Sequence, residues 1–238
     1  MKRWSDEAWE AALPTYEKIL RHPFVGALAA GTLPADRFRF YIRQDALYLD
    51  GYARRLAHVA ARLPRKEQTE AFLHFALDGI AVERALHAQF LAGDLPTVEE
   101  MSPTSLLYTS VLEAQATAPV EVEAAAVLPC FVVYQRVGEA ILARARAAEA
   151  PNAAPSPTAE TPERTDTPLL ENPYRAWIET YADPAFAAST ERAVEICDEL
   201  AAAAGAATRS RMTELFVRCT RMEWLFWESA WNLENWKI

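Results

Sequence analysis

The most apolar stretch of the chain is Ala124–Tyr134, eleven residues in an unbroken run. A bilayer crossing takes about 20 residues, so this run reads as buried core. Upstream, Tyr41, Asp45, Tyr48 and Tyr52 recur at intervals of 4, 3 and 4. That spacing places all four on one face of an α-helix. Near the other end, Glu223, Phe226, Trp227 and Ala230 share a face in the same way. Faces of this kind need partners, and a set of mutually packed helices supplies them.

Helix start and stop signals divide the rest of the chain. Ser5, followed by Asp6 and Glu7, reads as an N-cap and an acidic first turn. It predicts a first helix to about His22, broken or kinked at Pro14. A short helix from Pro23 to Ala30 stops at Gly31. Pro34 opens a long helix to about Leu63, and Pro64 ends it. Further helices are predicted over about Lys66–Leu91, Ser102–Thr117 and Pro119–Glu149, the last with Pro129 inside. Residues 150–171 contain Pro151, Pro155, Pro157, Pro162 and Pro168 among Thr, Ser and Glu, a linker composition. Three more helices follow, over about 173–182, 184–204 and 206–235.

Composition supports this reading. The 238 residues include 46 Ala but only 20 Val plus Ile, and just 7 Gly. Tight hairpins draw on Gly, and helices favour Ala, so the expected class is all-α, a bundle of eight to nine helices. About 67 residues follow the Pro-rich stretch. That is too short a piece to build a separate core easily, so residues 1–238 are expected to form a single domain with an insertion at about 150–171. The net charge of −9 argues against general nucleic-acid binding. The N-terminus, Met1–Glu10, is charged and lacks the apolar region of a signal peptide. A cytoplasmic protein without membrane or nucleic-acid partners is the expectation. Three cysteines at separations of 67 and 22 make neither a disulfide framework nor a metal-ligand motif.

Four constellations could carry chemistry, each beside a plainer reading. The tyrosines around Asp45 could grip a flat, nitrogen-rich ring, or could rim an amphipathic helix with Asp45 in a salt bridge. Cys130, after Pro129 and one turn before Tyr134, could be a nucleophile or a small buried hydrophobe. Glu223 on its aromatic stripe could be a general acid with a raised pKa, or a rim residue. Glu83 with His87 could be half of a di-metal site. The histidines are His22, His58, His74 and His87, with none later to complete it, so neither metal nor cofactor is expected. Cys197 and Cys219 read as packing residues.

Taken in order, the motifs resemble the TenA family, the thiaminase II or aminopyrimidine aminohydrolase proteins. They are Arg21-His22-Pro23-Phe24, then Phe38–Tyr48 around Gln44-Asp45, then Pro103-Thr104 with Tyr108. Leu128-Pro129-Cys130 with Tyr134 and Gly138 follows, then Asn172-Pro173-Tyr174 through Trp177-Ile178 to Thr180-Tyr181, and Glu223 with Phe226-Trp227. The resemblance spans almost the whole chain. It implies a heme-oxygenase-like fold, a homotetramer and a role in thiamin salvage. The implied reaction hydrolyses 4-amino-5-aminomethyl-2-methylpyrimidine to its hydroxymethyl analogue and ammonia, with thiamin as a further substrate. It assigns Cys130 as nucleophile, Asp45 as the carboxylate holding the aminopyrimidine edge, and Glu223 as acid and base. Tyr48 and Tyr108 are implied to pack or bond the ring. Tyr134 and Tyr181 are implied to orient Cys130, Glu223 or the substrate. Tyr41 and Tyr52 receive no role. Two other readings stay open: a pyrimidine-binding or regulatory protein without turnover, and a metal-dependent oxidase of heme-oxygenase type.

Overall fold

The computed structural model describes residues 2–90, 100–149 and 168–237, with the side chains of 82–84, 86–89 and 147–149 excepted. Nine α-helices occur among the described residues: α1 (Trp4–Leu20), α2 (Pro23–Ala29), α3 (Ala35–Arg62), α4 (Lys66–Phe90), α5 (Pro103–Glu113), α6 (Val120–Glu149), α7 (Arg175–Tyr181), α8 (Pro184–Ala203) and α9 (Ala206–Trp231). The described residues contain no strand. The all-α expectation holds, and the Pro and Gly signals set most boundaries. Pro23, Pro103 and Pro184 each open a helix, where a missing N–H costs nothing. Gly31 leaves α2 at φ 67°, a conformation that suits glycine.

At the N-terminus the expected cap fails for a long-range reason. Helix α1 begins at Trp4, so Ser5 is not its cap. The Ser5 N–H and hydroxyl both donate to Asp198 of α8, each at 2.8 Å, tying the two helices together. Pro14 lies inside α1 without breaking it, and the helix runs to Leu20, close to the expected end at about His22. Most of the Pro-rich stretch, residues 150–167, lies outside the described residues. Its end is ordered instead of extended, with a 3₁₀ turn over Leu169–Glu171.

Helix α6 is the central element. Val122, Ala124, Ala125, Ala126, Val133 and Val137 have no accessible surface beyond 1 %. Small side chains there let α3, α7, α8 and α9 all pack against it. Over Val120–Arg146 this helix is long and apolar enough to cross a membrane by length and composition, well beyond the eleven-residue run. Its most apolar window is 67 % buried within the protein, as in a core helix.

Two polar contacts and one steric contact fix how α2, α6, α7 and α9 meet. His22 caps α2 by accepting from the Phe24 N–H at Nδ1 (3.1 Å), which puts its proton on Nε2, 2.9 Å from Glu228 of α9. Burial lowers the His22 pKa, which favours this neutral form. Asn172 donates to the Leu28 and Ala29 carbonyls at the end of α2 and accepts from the Tyr174 N–H (2.8 Å). It thereby fixes where α7 starts. Gly138 of α6 then fixes where α7 finishes, because a Cβ there would sit 2.7 Å from the Tyr181 carbonyl carbon. A separate buried ion cluster joins α3 to α6, with Glu123 of α6 receiving His58 (2.7 Å) and Arg62 (2.5 Å) from α3.

Candidate active site

A cavity of about 570 Å³ opens among α3, α4, α6, α7 and α8. Its wall includes Asp45 and Tyr52 from α3, Cys130 and Tyr134 from α6, and Tyr181 at the end of α7. Phe75, Phe131 and Phe186 complete an apolar lining. Two members of the expected stripe on α3, Asp45 and Tyr52, and the expected pair on α6 therefore meet at one hollow. Pro129 lies inside α6 without ending it, and Cys130 follows directly. The Tyr52 hydroxyl donates to the Val127 carbonyl at 2.8 Å, pinning α6 to α3 just before that turn.

Cys130 retains some accessible surface, whereas Cys197 and Cys219 are buried. Burial, then the charges of Glu223 and Asp45, push the Cys130 thiol well above its ordinary value. The Tyr48 hydroxyl acts in the opposite direction and favours the thiolate, whereas Tyr52 gives its proton to the Val127 carbonyl. Tyr48 faces the sulfur, yet its hydroxyl closes no hydrogen bond of good geometry and is buried without one. Burial first, and the two carboxyl groups second, therefore favour the protonated thiol of Cys130.

Glu223, Tyr48 and Tyr108 are not among the residues lining the cavity; they form a layer behind Cys130. Glu223 is 1 % exposed, and its Oε1 accepts the Tyr108 hydroxyl proton at 2.6 Å. Burial raises its pKa to about 8, while the Tyr108 bond draws it down. A carboxyl in that range can both give and take a proton near neutrality. Tyr48 packs on Tyr108 with ring centroids 4.7 Å apart, so this layer is continuous from α5 to α3.

An aromatic core holds the wall in place. Tyr41 stacks on Trp227 (5.1 Å, interplanar 7°), and Tyr134 contacts both Trp227 (5.3 Å) and Tyr181 (4.9 Å). The Tyr41 hydroxyl donates to Tyr134 and accepts from Trp177 Nε1, both at 3.3 Å. The resemblance left Tyr41 and Tyr52 without roles. The first supports the wall and the second forms part of it. The 4-3-4 spacing on α3 placed both on the face that carries Asp45, without saying which of them lines the cavity. Glu83 and His87, the expected half of a metal site, have side chains outside the described residues.

The family described as TENA/THI-4/PQQC matches residues 9–233. The chain belongs to the TENA/THI-4/PQQC family. It is 32 % identical to an aminopyrimidine aminohydrolase of Bacillus subtilis (strain 168), over 98 % of this chain and 92 % of that protein. It is 27 % identical to an aminopyrimidine aminohydrolase of Halalkalibacterium halodurans, over 96 % and 95 % of the two chains. Among solved structures, a TenA homologue from P. horikoshii OT3 superposes with a TM-score of 0.76 at 25 % identity, covering 97 % of this chain and 99 % of that one. The TENA/THI-4/PQQC architecture seen here is all-α and heme-oxygenase-like.

Proposed function

We propose that this chain is an aminopyrimidine aminohydrolase of thiamin salvage that works through a covalent adduct on Cys130. Its substrate is a small molecule, 4-amino-5-aminomethyl-2-methylpyrimidine, with thiamin as a second candidate. The observation that carries the reading is the meeting of Cys130, Asp45, Tyr134 and Tyr181 on one cavity wall with Glu223 directly behind. The named activity of the full-length relatives agrees with it.

The reaction follows from these positions. Asp45 binds the amino edge of the ring and favours its protonated form. A cation at Asp45 cancels part of the field that holds the Cys130 thiol up, so substrate binding itself promotes the thiolate. The sulfur adds to the ring, forming a C–S bond and making the ring electron-rich. The ring then expels the amine from the exocyclic methylene, and the amine takes a proton from Glu223 and leaves as ammonia. Water adds to the methylene and returns a proton to Glu223. The C–S bond breaks, the ring regains aromaticity, and the thiolate is restored. One hard substitution becomes a series of easier steps. Tyr108 holds Glu223, Tyr48 packs against Tyr108 beside the sulfur, and Tyr134 and Tyr181 flank the ring.

We further propose that the chain works as one domain over residues 1–238, in the cytoplasm, and assembles as a homotetramer; the homotetramer rests on the motif resemblance and the other two on the sequence reading, and limited proteolysis, fractionation and ultracentrifugation test them in turn. The activity is tested by ammonia release from the aminomethyl pyrimidine. Replacing Cys130 by Ala or Ser abolishes release while the far-UV dichroism and melting temperature stay near wild type. Release at the wild-type rate in either variant would refute the covalent mechanism.

A further inference from the structure

Two residues about one turn apart on α5, Thr104 and Tyr108, each bond a carboxylate beyond their own helix. Their spacing puts both on one face. Tyr108 reaches Glu223 within α9. Thr104 reaches Glu234, just after α9 ends at Trp231, with its N–H on Oε2 at 2.8 Å and its hydroxyl on Oε1 at 3.0 Å. That N–H lies in the first turn of α5, where a helix leaves donors unpaired and favours a negative charge.

The chain bends sharply to make this contact. Leu233 stands at φ 50°, and among the described residues it is the one non-glycine with positive φ. Left-handed backbone is strained for leucine, whereas glycine would adopt it freely. The turn closes α9 in a pattern that usually employs glycine: the Glu234 N–H donates to the Ser229 carbonyl at 2.9 Å, and the Leu233 N–H to the Ala230 carbonyl at 3.4 Å. Beyond it, Trp236 Nε1 donates to the Met101 carbonyl at 2.9 Å. From the other side, Gln44 of α3 accepts from the Ser102 N–H at 2.8 Å and donates to the Glu100 carbonyl at 3.2 Å. Gln44 directly precedes Asp45. The start of α5 is thus gripped by the C-terminal turn and by the helix that carries Asp45.

We propose that Glu234 is a positioning residue for the acid–base pair: by clamping the start of α5 to the end of α9, it sets the reach of Tyr108 to Glu223. The inference rests on the proposed activity for the acid–base role of Glu223, and it adds a residue outside the lining of the cavity. Glu223 itself reports the clamp. Other titratable groups around it are Tyr48 and Tyr52 of α3, Cys130 and Tyr134 of α6, Tyr181 of α7 and Cys219 of α9. Burial pushes each of them up, so they stay uncharged near neutrality. The Tyr108 bond is the contact that draws the Glu223 pKa down from where burial would leave it.

The test follows the Glu223 carboxyl in the unliganded full-length chain by infrared pH-difference spectroscopy, its band assigned by its absence in Glu223→Gln. Melting temperature and the pH profile of kcat/KM for the aminomethyl pyrimidine are measured alongside. The wild type titrates with a pKa of about 8. Glu234→Ala moves the titration up, in the direction of Tyr108→Phe, and lowers kcat about threefold to tenfold with KM nearly unchanged. Glu234→Gln, whose amide still accepts from the Thr104 N–H and bonds its hydroxyl, restores the wild-type titration. The double variant Glu234→Ala/Tyr108→Phe shifts no further than Tyr108→Phe, because both act through one bond. Should Glu234→Ala fail to fold, Thr104→Val removes the hydroxyl bond alone and gives a smaller shift of the same sign. An unchanged titration in the folded variant, or shifts that add in the double variant, would overturn the proposal and leave the clamp a purely structural contact. Absent turnover in the wild-type chain, with the titration pattern intact, would count against the proposed activity alone.

Discussion

Tyr108 donates its hydroxyl proton to Glu223 Oε1 across 2.6 Å, joining α5 to α9 behind Cys130. The bond stabilises the carboxylate, whereas burial of Glu223 favours the protonated acid and wins, leaving a pKa of about 8. Tyr108→Phe removes the opposing contribution, so the Glu223 pKa rises further. The alkaline limb of the kcat/KM profile, where the general acid is lost, moves to higher pH. A limb that stays in place or moves down would show that another group controls it.

The same carboxyl ties stability to pH. Its unfolded pKa is near 4.5 and its folded one near 8. Between those values the folded chain holds a proton that the unfolded chain has released. Stability is therefore fully present below about pH 4.5 and is lost as pH rises toward about 8. Glu223→Gln removes this loss, which is of the order of a few kcal/mol. Urea unfolding at pH 5 and pH 8 should show a smaller difference for the variant than for the wild type. An identical pH dependence would mean that Glu223 ionises freely in the folded state.

Asp45 is expected to affect binding and thiol reactivity in opposite directions. Its charge helps hold the Cys130 thiol up, after burial and Glu223. Asp45→Asn raises KM for the aminopyrimidine by about tenfold to a hundredfold, the range for a lost charge-assisted hydrogen bond. In the unliganded variant Cys130 becomes more acidic, so iodoacetamide modifies it faster than in the wild type at the same pH. Slower alkylation would place Asp45 on the thiolate's side instead. The buried Cys197 and Cys219 serve as internal controls.

The contact between Gly138 and Tyr181 positions a cavity wall through the backbone. Gly138→Ala places a methyl group 2.7–2.9 Å from three atoms of Tyr181. Either α7 moves or α6 bends, at about 1–3 kcal/mol for an overpacked site. The melting temperature falls, and the aminopyrimidine is turned over less efficiently because Tyr181 is displaced. Tyr181→Phe, which keeps the ring, retains the melting temperature; a fall in both variants alike would point to the lost hydroxyl.

Helix boundaries were readable where Pro or Gly dictates them, as at Pro23, Gly31, Pro103 and Pro184. Cap chemistry alone misplaced the first helix, because the Ser5 partner is Asp198, far along the chain. The face of α3 was readable from its spacing. Spacing does not say that Tyr52 lines the cavity while Tyr48 sits behind Cys130, since helix packing decides that. The Glu123 cluster left no local trace either, because its partners His58 and Arg62 lie on a different helix. For the same reason Glu223 was recognisable as an unusual carboxylate, while Tyr108, the group that restrains it, was not recognisable as its partner.

Tyr41 gives the last test, since only tertiary structure shows what it does. It is fully buried, and its hydroxyl links Trp177 of α7 to Tyr134 of α6 at 3.3 Å on each side. In Tyr41→Phe the Trp177 N–H loses its acceptor inside the core, which costs about 1–3 kcal/mol. The ring stays stacked on Trp227, so the chain still folds. Tyr134 loses a bond that fixes its hydroxyl in the cavity wall. Because Tyr41 does not line the cavity, the expected kinetic effect is a rise in KM with a smaller fall in kcat. A large fall in kcat with unchanged KM and melting temperature would instead put the Tyr41 hydroxyl in the proton path.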